Sequence, residues 1–341
     1  MRYDGNLRLV KEGEGVLTAM KAGQTYSGGT RVAAGGVKFG VTSVDMPFGA
    51  KGTTIEVAAG AYADAWSRNI NEYAYRLEGG KLINTRNIAV GDMISSVGNI
   101  TLSADSEMPF DTQNSVSADK IIVNGSVWDL GGHTLTIVFQ GKDPDLWFSS
   151  NGNRTGAAKL ILKNGTVKTQ GNGWFHDLNT DGIEGGSYDF ASILRHYGTS
   201  TVSNLTIRTT SNVVGGDGVY RVYGTFTPLS PYCNNVLMLD GSTIDLSSKT
   251  GAWSATFVNS DNTRNTTFDE GACVTIDLHG RSDLAELAKS DNPYVITWSA
   301  APDPTVKLVP DNETASASFY IVPDETGAKL VRRQGTQIIV R

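Results

Sequence analysis

Cysteine is nearly absent from the 341 residues: Cys233 and Cys273 stand alone. Two thiols exclude a disulfide-stapled scaffold, and a chain of this length needs no staples to build a core. Each sits in an apolar context, which suits two buried thiols as well as one bridge. Charge is scarce too, at 19% of residues, with a net −6 and a pI near 5.3. No basic stripe interleaved with aromatics occurs, which excludes a nucleic-acid surface. No run approaches the roughly 18 apolar residues of a membrane helix, and Met1 to Asn6 holds no apolar leader core. Long helical windows of Leu, Ala, Glu and Lys are missing. So are a Gly-x-Ser-x-Gly elbow, a Walker loop and a zinc-protease motif.

What the chain does have is glycine, 39 residues of it, with abundant Thr, Ser and Asn. These are the residues of a chain that turns a corner every few positions. Short β-branched runs lie between the corners, as in Gly15–Met20, Thr30–Ala33, Thr53–Val57 and Tyr73–Leu77. Between the last two, Ala58–Asn71 is Ala-rich, contains Trp66, and reads as a short helix or an excursion loop. Three segments share one plan of apolar strand, Asn/Asp-Gly, second strand: Lys120–Val127, Lys159–Val167 and Val236–Ile244. The Asn/Asp-Gly pair suits a hairpin turn or a corner between sheets. Gly125 to Gly165 is 40 residues and Gly165 to Gly241 is 76. Those intervals are close to multiples of about 20, a β-solenoid period, and select the corner. The expected fold is all-β, with Leu135, Ile137, Phe139, Val202, Leu205 and Ile207 facing inward.

The opening coils carry a resemblance. Gly13, Gly15, Leu17 and Thr18, then Thr25-Tyr26-Ser27-Gly28-Gly29-Thr30, Val32, Ala34 and Gly35 resemble the autotransporter-associated β-strand repeat, also called the passenger-associated transport repeat. The resemblance implies a right-handed parallel β-helix over 1–280 in a secreted or surface-exposed bacterial passenger region, and no particular chemistry. The last stretch, 281–341, resembles the closing segment of such proteins: a short Asp-Leu-x-x-Leu-Ala helix at 282–289, then strands ending at Gln337–Val340. It is expected to cap the open edge of the last coil. The sequence reaches Arg341 without the alternating strands of a membrane barrel, so the expectation is a fragment or another export route. The implied role is a rigid rod for adhesion or display, with glycans or host and cell-surface components as partners.

Residues 171–197 break the period and hold most of the candidate chemistry. Asp177, Asn179 and Asp181 before Gly182 match the first half of a calcium loop. Tyr188 stands where the bidentate Glu belongs, so a polar Asx-rich turn explains the same residues without metal. No other cofactor is expected. For glycosidic chemistry, which needs paired carboxylates beside aromatic platforms, the same insertion offers Asp177, Asp181, Glu184, Asp189, Arg195 and His196, with Trp174 and Tyr188 as sugar platforms. That alternative makes the chain a polysaccharide lyase or glycoside hydrolase. The remaining histidines, His133 and His279, read as exposed turn residues.

Overall fold

The computed structural model describes residues 4–21, 23–41, 45–66, 68, 70–85, 93–112, 119–123, 126–141, 145–148, 160–171, 174–177, 183–191, 193–196, 198–208, 218–230, 235–258, 263–311 and 318–333. Contacts divide the chain into two units, Met1–Thr201 with Thr209–Gly218, and Val202–Arg208 with Val219–Arg341.

The first unit is built from three parallel sheets. One runs in the order Leu9–Lys11, Thr30–Val32, Thr54–Ala58, Ala74–Glu78, Ile100–Ala104, Val127–Asp129, Leu160–Lys163 and Ile183–Glu184. A second runs Val16–Ala19, Gly36–Phe39, Tyr62–Asp64, Lys81–Ile83, Ser106–Thr112, Thr134–Gly141, Thr166–Gln170 and Ser187–Phe190. The third is shorter: Met93–Val97, Asp119–Val123, Asp145–Phe148, Trp174–Asp177 and Ile193–His196.

Side-chain alternation explains why these runs are strands. In the first sheet Thr30, Ile55, Tyr75, Ile100, Trp128 and Leu162 are successive register partners, and all are buried. One residue on, Arg31, Glu56, Arg76, Thr101, Asp129 and Lys163 form the matching outward row. The period of two therefore sends one row to the interior and its neighbour to water. Burying each large apolar side chain contributes roughly 1.5–3 kcal/mol. A buried Trp also needs a partner for its N–H, and Trp128 Nε1 donates to the Gly98 carbonyl at 3.3 Å.

The corners explain the Thr-Tyr-Ser-Gly-Gly-Thr run. Tyr26 Oη and Thr30 Oγ1 are hydrogen-bonded at 2.8 Å, and Thr30 Oγ1 donates to the Phe48 carbonyl at 3.1 Å. Ser27 and Gly28 donate their backbone N–H groups to Gly5 and Leu7. Gly29 has φ +74°, and a Cβ there would lie 2.5 Å from the Thr54 carbonyl oxygen. The Asn-Gly pair at 164–165 is a corner as well. It joins Leu160–Lys163 of the first sheet to Thr166–Gln170 of the second, with Asn164 at φ +49°.

Two sequence expectations are corrected here. Ala58–Asn71 contains no helix among its described residues and instead supplies Tyr62–Asp64 to the second sheet. Residues 171–197 are no excursion: they place Trp174–Asp177, Ile183–Glu184, Ser187–Phe190 and Ile193–His196 in the third, first, second and third sheets in turn. A circuit through three sheets is longer than one through two, and that length looks like an insertion in the sequence.

The second unit repeats the logic. Asn204–Ile207, Thr225–Pro228, Thr243–Asp245, Cys273–Asp277 and Lys307–Pro310 form one parallel sheet, with Leu205, Phe226, Ile244 and Ile276 stacked in its interior. Val219–Val222, Asn235–Met238 and Thr263–Phe268 form another, which ends in an antiparallel pairing with Thr256–Val258. Asp240-Gly241 is again a corner between these two sheets. Its last residues form a separate sheet, Trp253–Ser254, Tyr294–Thr297, Gly327–Arg332 and Phe319–Pro323, with two antiparallel pairings. The helix spans Leu284–Leu287 with Asp283 at its N-cap, but the Asp283 carboxylate makes no capping bond. It binds Arg281 and the Gly251 N–H instead. The strand expected at Gln337–Val340 lies outside the described residues.

Candidate functional site

The stretch that promised chemistry distributes its carboxylates over three sheets. Asp177 lies on the third, Glu184 on the first and Asp189 on the second. Trp174 and Ile193 are register partners, as are Asp177 and His196, so the third sheet does bring Asp177 beside His196 and His176 beside Arg195. His196 is 1% exposed, however, and Glu184 is exposed on another sheet. Tyr188 is corrected as a sugar platform: it is 1% exposed, and its ring stacks on Phe190 at 5.5 Å. The Ser187-Tyr188-Asp189-Phe190 alternation carried that signal, since its two aromatics sit two residues apart. Asn179 and Asp181 of the calcium motif lie outside the described residues.

A Ser-His-Asp composition at Asp105, Ser106 and His133 was not anticipated, and its geometry is structural. His133 Nδ1 is 3.6 Å from Asp105 Oδ1. Ser106 Oγ donates to the Ala104 carbonyl and accepts the Gly79 N–H, and the residue is 3% exposed. A hydroxyl engaged on both sides and buried is no nucleophile.

The outer surface of the first unit carries an ion-pair ladder. Arg31 Nη1 bridges Glu56 at 2.9 Å and Glu78 at 2.8 Å. Arg8 also binds Glu56, Arg76 binds Glu78 at 3.3 Å, and Lys51 and Lys81 pair with Glu72 and Glu107. Arg31–Glu56 and Lys81–Glu107 join adjacent strands and Arg31–Glu78 reaches two strands along, while Arg76–Glu78 lies within one strand and Lys51–Glu72 joins two turns. At the start of the unit, Leu7, Leu9, Leu17, Ala19, Tyr26 and Phe48 surround an apolar cavity of about 460 Å³.

A different cluster sits on the second sheet. Lys38 and Asp64 are register partners. Asp64 is buried, and its Oδ1 accepts the backbone N–H groups of Trp66 and Thr85, both at 3.0 Å, while Oδ2 accepts the Thr85 hydroxyl. These bonds hold Trp66 at φ +45°, a conformation uncommon for a bulky residue. Lys38 Nζ lies 4.4 Å from the Trp66 ring centroid and the Arg68 guanidinium carbon 6.0 Å from it. The sequence hinted at this only through Asp64-Ala-Trp66, an Asx-turn pattern; nothing in it connected Lys38.

Among the described residues no group of three or more His, Cys, Asp or Glu is placed to hold a metal ion, and no helix is long and apolar enough to cross a membrane. Cys273 is a half-buried free thiol, and Cys233 lies outside the described residues. Comparison with known protein families, with characterised proteins and with solved structures found no match.

Proposed function

We propose that the chain is a right-handed parallel β-helix serving as a non-enzymatic, passenger-type scaffold of a bacterial surface or secreted protein, with glycans or cell-surface components as partners. The carrying observation is the parallel register of the first sheet. From Thr54–Ala58 to Leu160–Lys163 each strand stacks a buried apolar residue on its predecessor's and turns a polar or charged one outward. Right-handedness follows from the strong bias of parallel crossover connections. Export and surface display are supported by the Gly13–Gly40 resemblance to the passenger-associated repeat.

The carbohydrate-active alternative draws no support from carboxylates placed on three different sheets, because glycosidic chemistry needs two of them flanking one bond. The test is incubation with acidic and neutral polysaccharides, with and without calcium, following new reducing ends and unsaturated products. Retention without turnover is the expected result. Turnover that disappears in Asp177→Asn or Glu184→Gln would make the chain an enzyme.

A further inference from the structure

Lys38 and Arg68 differ from the cations of the ion-pair ladder on the same unit. Arg8, Arg31, Lys51, Arg76 and Lys81 each have a glutamate partner. Among the described residues neither Lys38 nor Arg68 is in an ion pair, and Arg68 Nε is buried with no hydrogen-bond acceptor. A buried N–H without an acceptor is rare in folded proteins. The nearby carboxylate does not serve them: Asp64 spends its oxygens on Trp66 and Thr85. Both cations instead converge on one indole ring, held in a strained backbone conformation by a buried carboxylate.

We propose that Lys38, Trp66 and Arg68 form a binding site for an acidic saccharide unit, a uronate or a sulfated sugar. The ligand's anion accepts charge-assisted hydrogen bonds from the Lys38 ammonium and the Arg68 guanidinium. The sugar's C–H face lies against the indole, whose ring already attracts the two cations. A bare anion would have no use for the ring, and a neutral sugar would leave the cations unanswered. Asp64 acts as a positioning residue by fixing the turn that presents Trp66. The inference rests on the glycan-binding display reading and names the site and ligand class within it.

The test is fluorescence anisotropy with labelled oligogalacturonate, a heparin-derived oligosaccharide and a neutral malto-oligosaccharide, on the full chain. At least one acidic probe is expected to bind, more weakly as salt rises. Lys38→Gln and Arg68→Gln are each expected to weaken it by about tenfold, the loss expected for one hydrogen bond to a charged group. Lys81→Gln, which breaks only the pair with Glu107, is expected to leave it unchanged. Melting curves establish that each variant is folded. Absence of acidic binding, preference for the neutral probe, or acidic binding indifferent to Lys38→Gln and Arg68→Gln would overturn the site while leaving the scaffold reading intact. Cleavage of the probe would contradict the scaffold reading instead, and the effect of the two substitutions on retention would then decide the site.

Discussion

Tyr73 is tied to Phe48 across the interior of the first unit: its phenol oxygen accepts the Phe48 backbone N–H at 3.0 Å and donates to the Gly49 carbonyl at 3.1 Å. One atom thus satisfies two backbone groups of the 45–50 corner. Tyr73→Phe keeps the ring and removes both bonds. Leaving buried polar groups unpaired costs about 1–3 kcal/mol, and urea unfolding at neutral pH is expected to show a loss in that range with an unchanged slope.

The same interior predicts a weakness to alkali. Burial pushes the phenols of Tyr26, Tyr73 and Tyr75 above their ordinary value of 10.0. An unfolded chain ionises these groups near 10, while the folded chain holds them neutral. Their contribution to stability is complete below that pH and is lost as the pH rises through the raised folded values. Melting temperatures should be flat up to about pH 9 and fall steeply above 10, with phenolate absorbance appearing together with unfolding.

Gly29 tests the stacked corners. Its φ of +74° and the 2.5 Å gap to the Thr54 carbonyl leave no room for a side chain. Gly29→Ala is expected to cost about 1–3 kcal/mol, whereas Gly52→Ala, strained at φ +79° but with nothing within 4 Å, should cost less. Denaturant midpoints of the two variants provide the comparison.

In the second unit Arg281 is buried with its guanidinium on Asp283 at 2.7 Å and on the Gly251 carbonyl at 2.8 Å. The Arg281 hydrogen bond holds the Asp283 carboxyl below its ordinary 3.8. The stabilisation is therefore present above about pH 4 and lost as the pH falls through the depressed folded value. Asp283→Ala strands a buried cation and should cost about 3–5 kcal/mol. The double change Arg281→Met with Asp283→Leu should cost less than Asp283→Ala alone, a pattern that thermal melts can read.

Much of the fold was legible because alternation survives in the sequence: Ile55 and Val57 flank Glu56, and Tyr75 and Leu77 flank Arg76. The Asn164-Gly165 and Asp240-Gly241 corners followed from spacing alone. The third sheet did not. Its strands Trp174–Asp177 and Ile193–His196 carry polar residues and lengthen the circuit, so their period disappears because the sequence intervals between strands are unequal. The Lys38–Trp66 contact was invisible for another reason. Register across stacked strands brings together residues 28 positions apart, and no local pattern encodes that.

Parallel stacking itself is tested most directly at Lys81 and Glu107. They are register partners on adjacent strands, half-exposed, with Nζ and Oε2 2.6 Å apart. Adjacent strands lie about 4.8 Å apart, within the roughly 4.4–6.8 Å between Cα atoms that a disulfide spans. In a chain carrying Cys233→Ser and Cys273→Ser, the pair Lys81→Cys and Glu107→Cys should oxidise readily to an intramolecular disulfide. Lys81→Cys with Thr101→Cys, on different sheets, should not. Free thiols in the first pair after mild oxidation would mean that residues 81 and 107 are not stacked neighbours, and would contradict the coil arrangement.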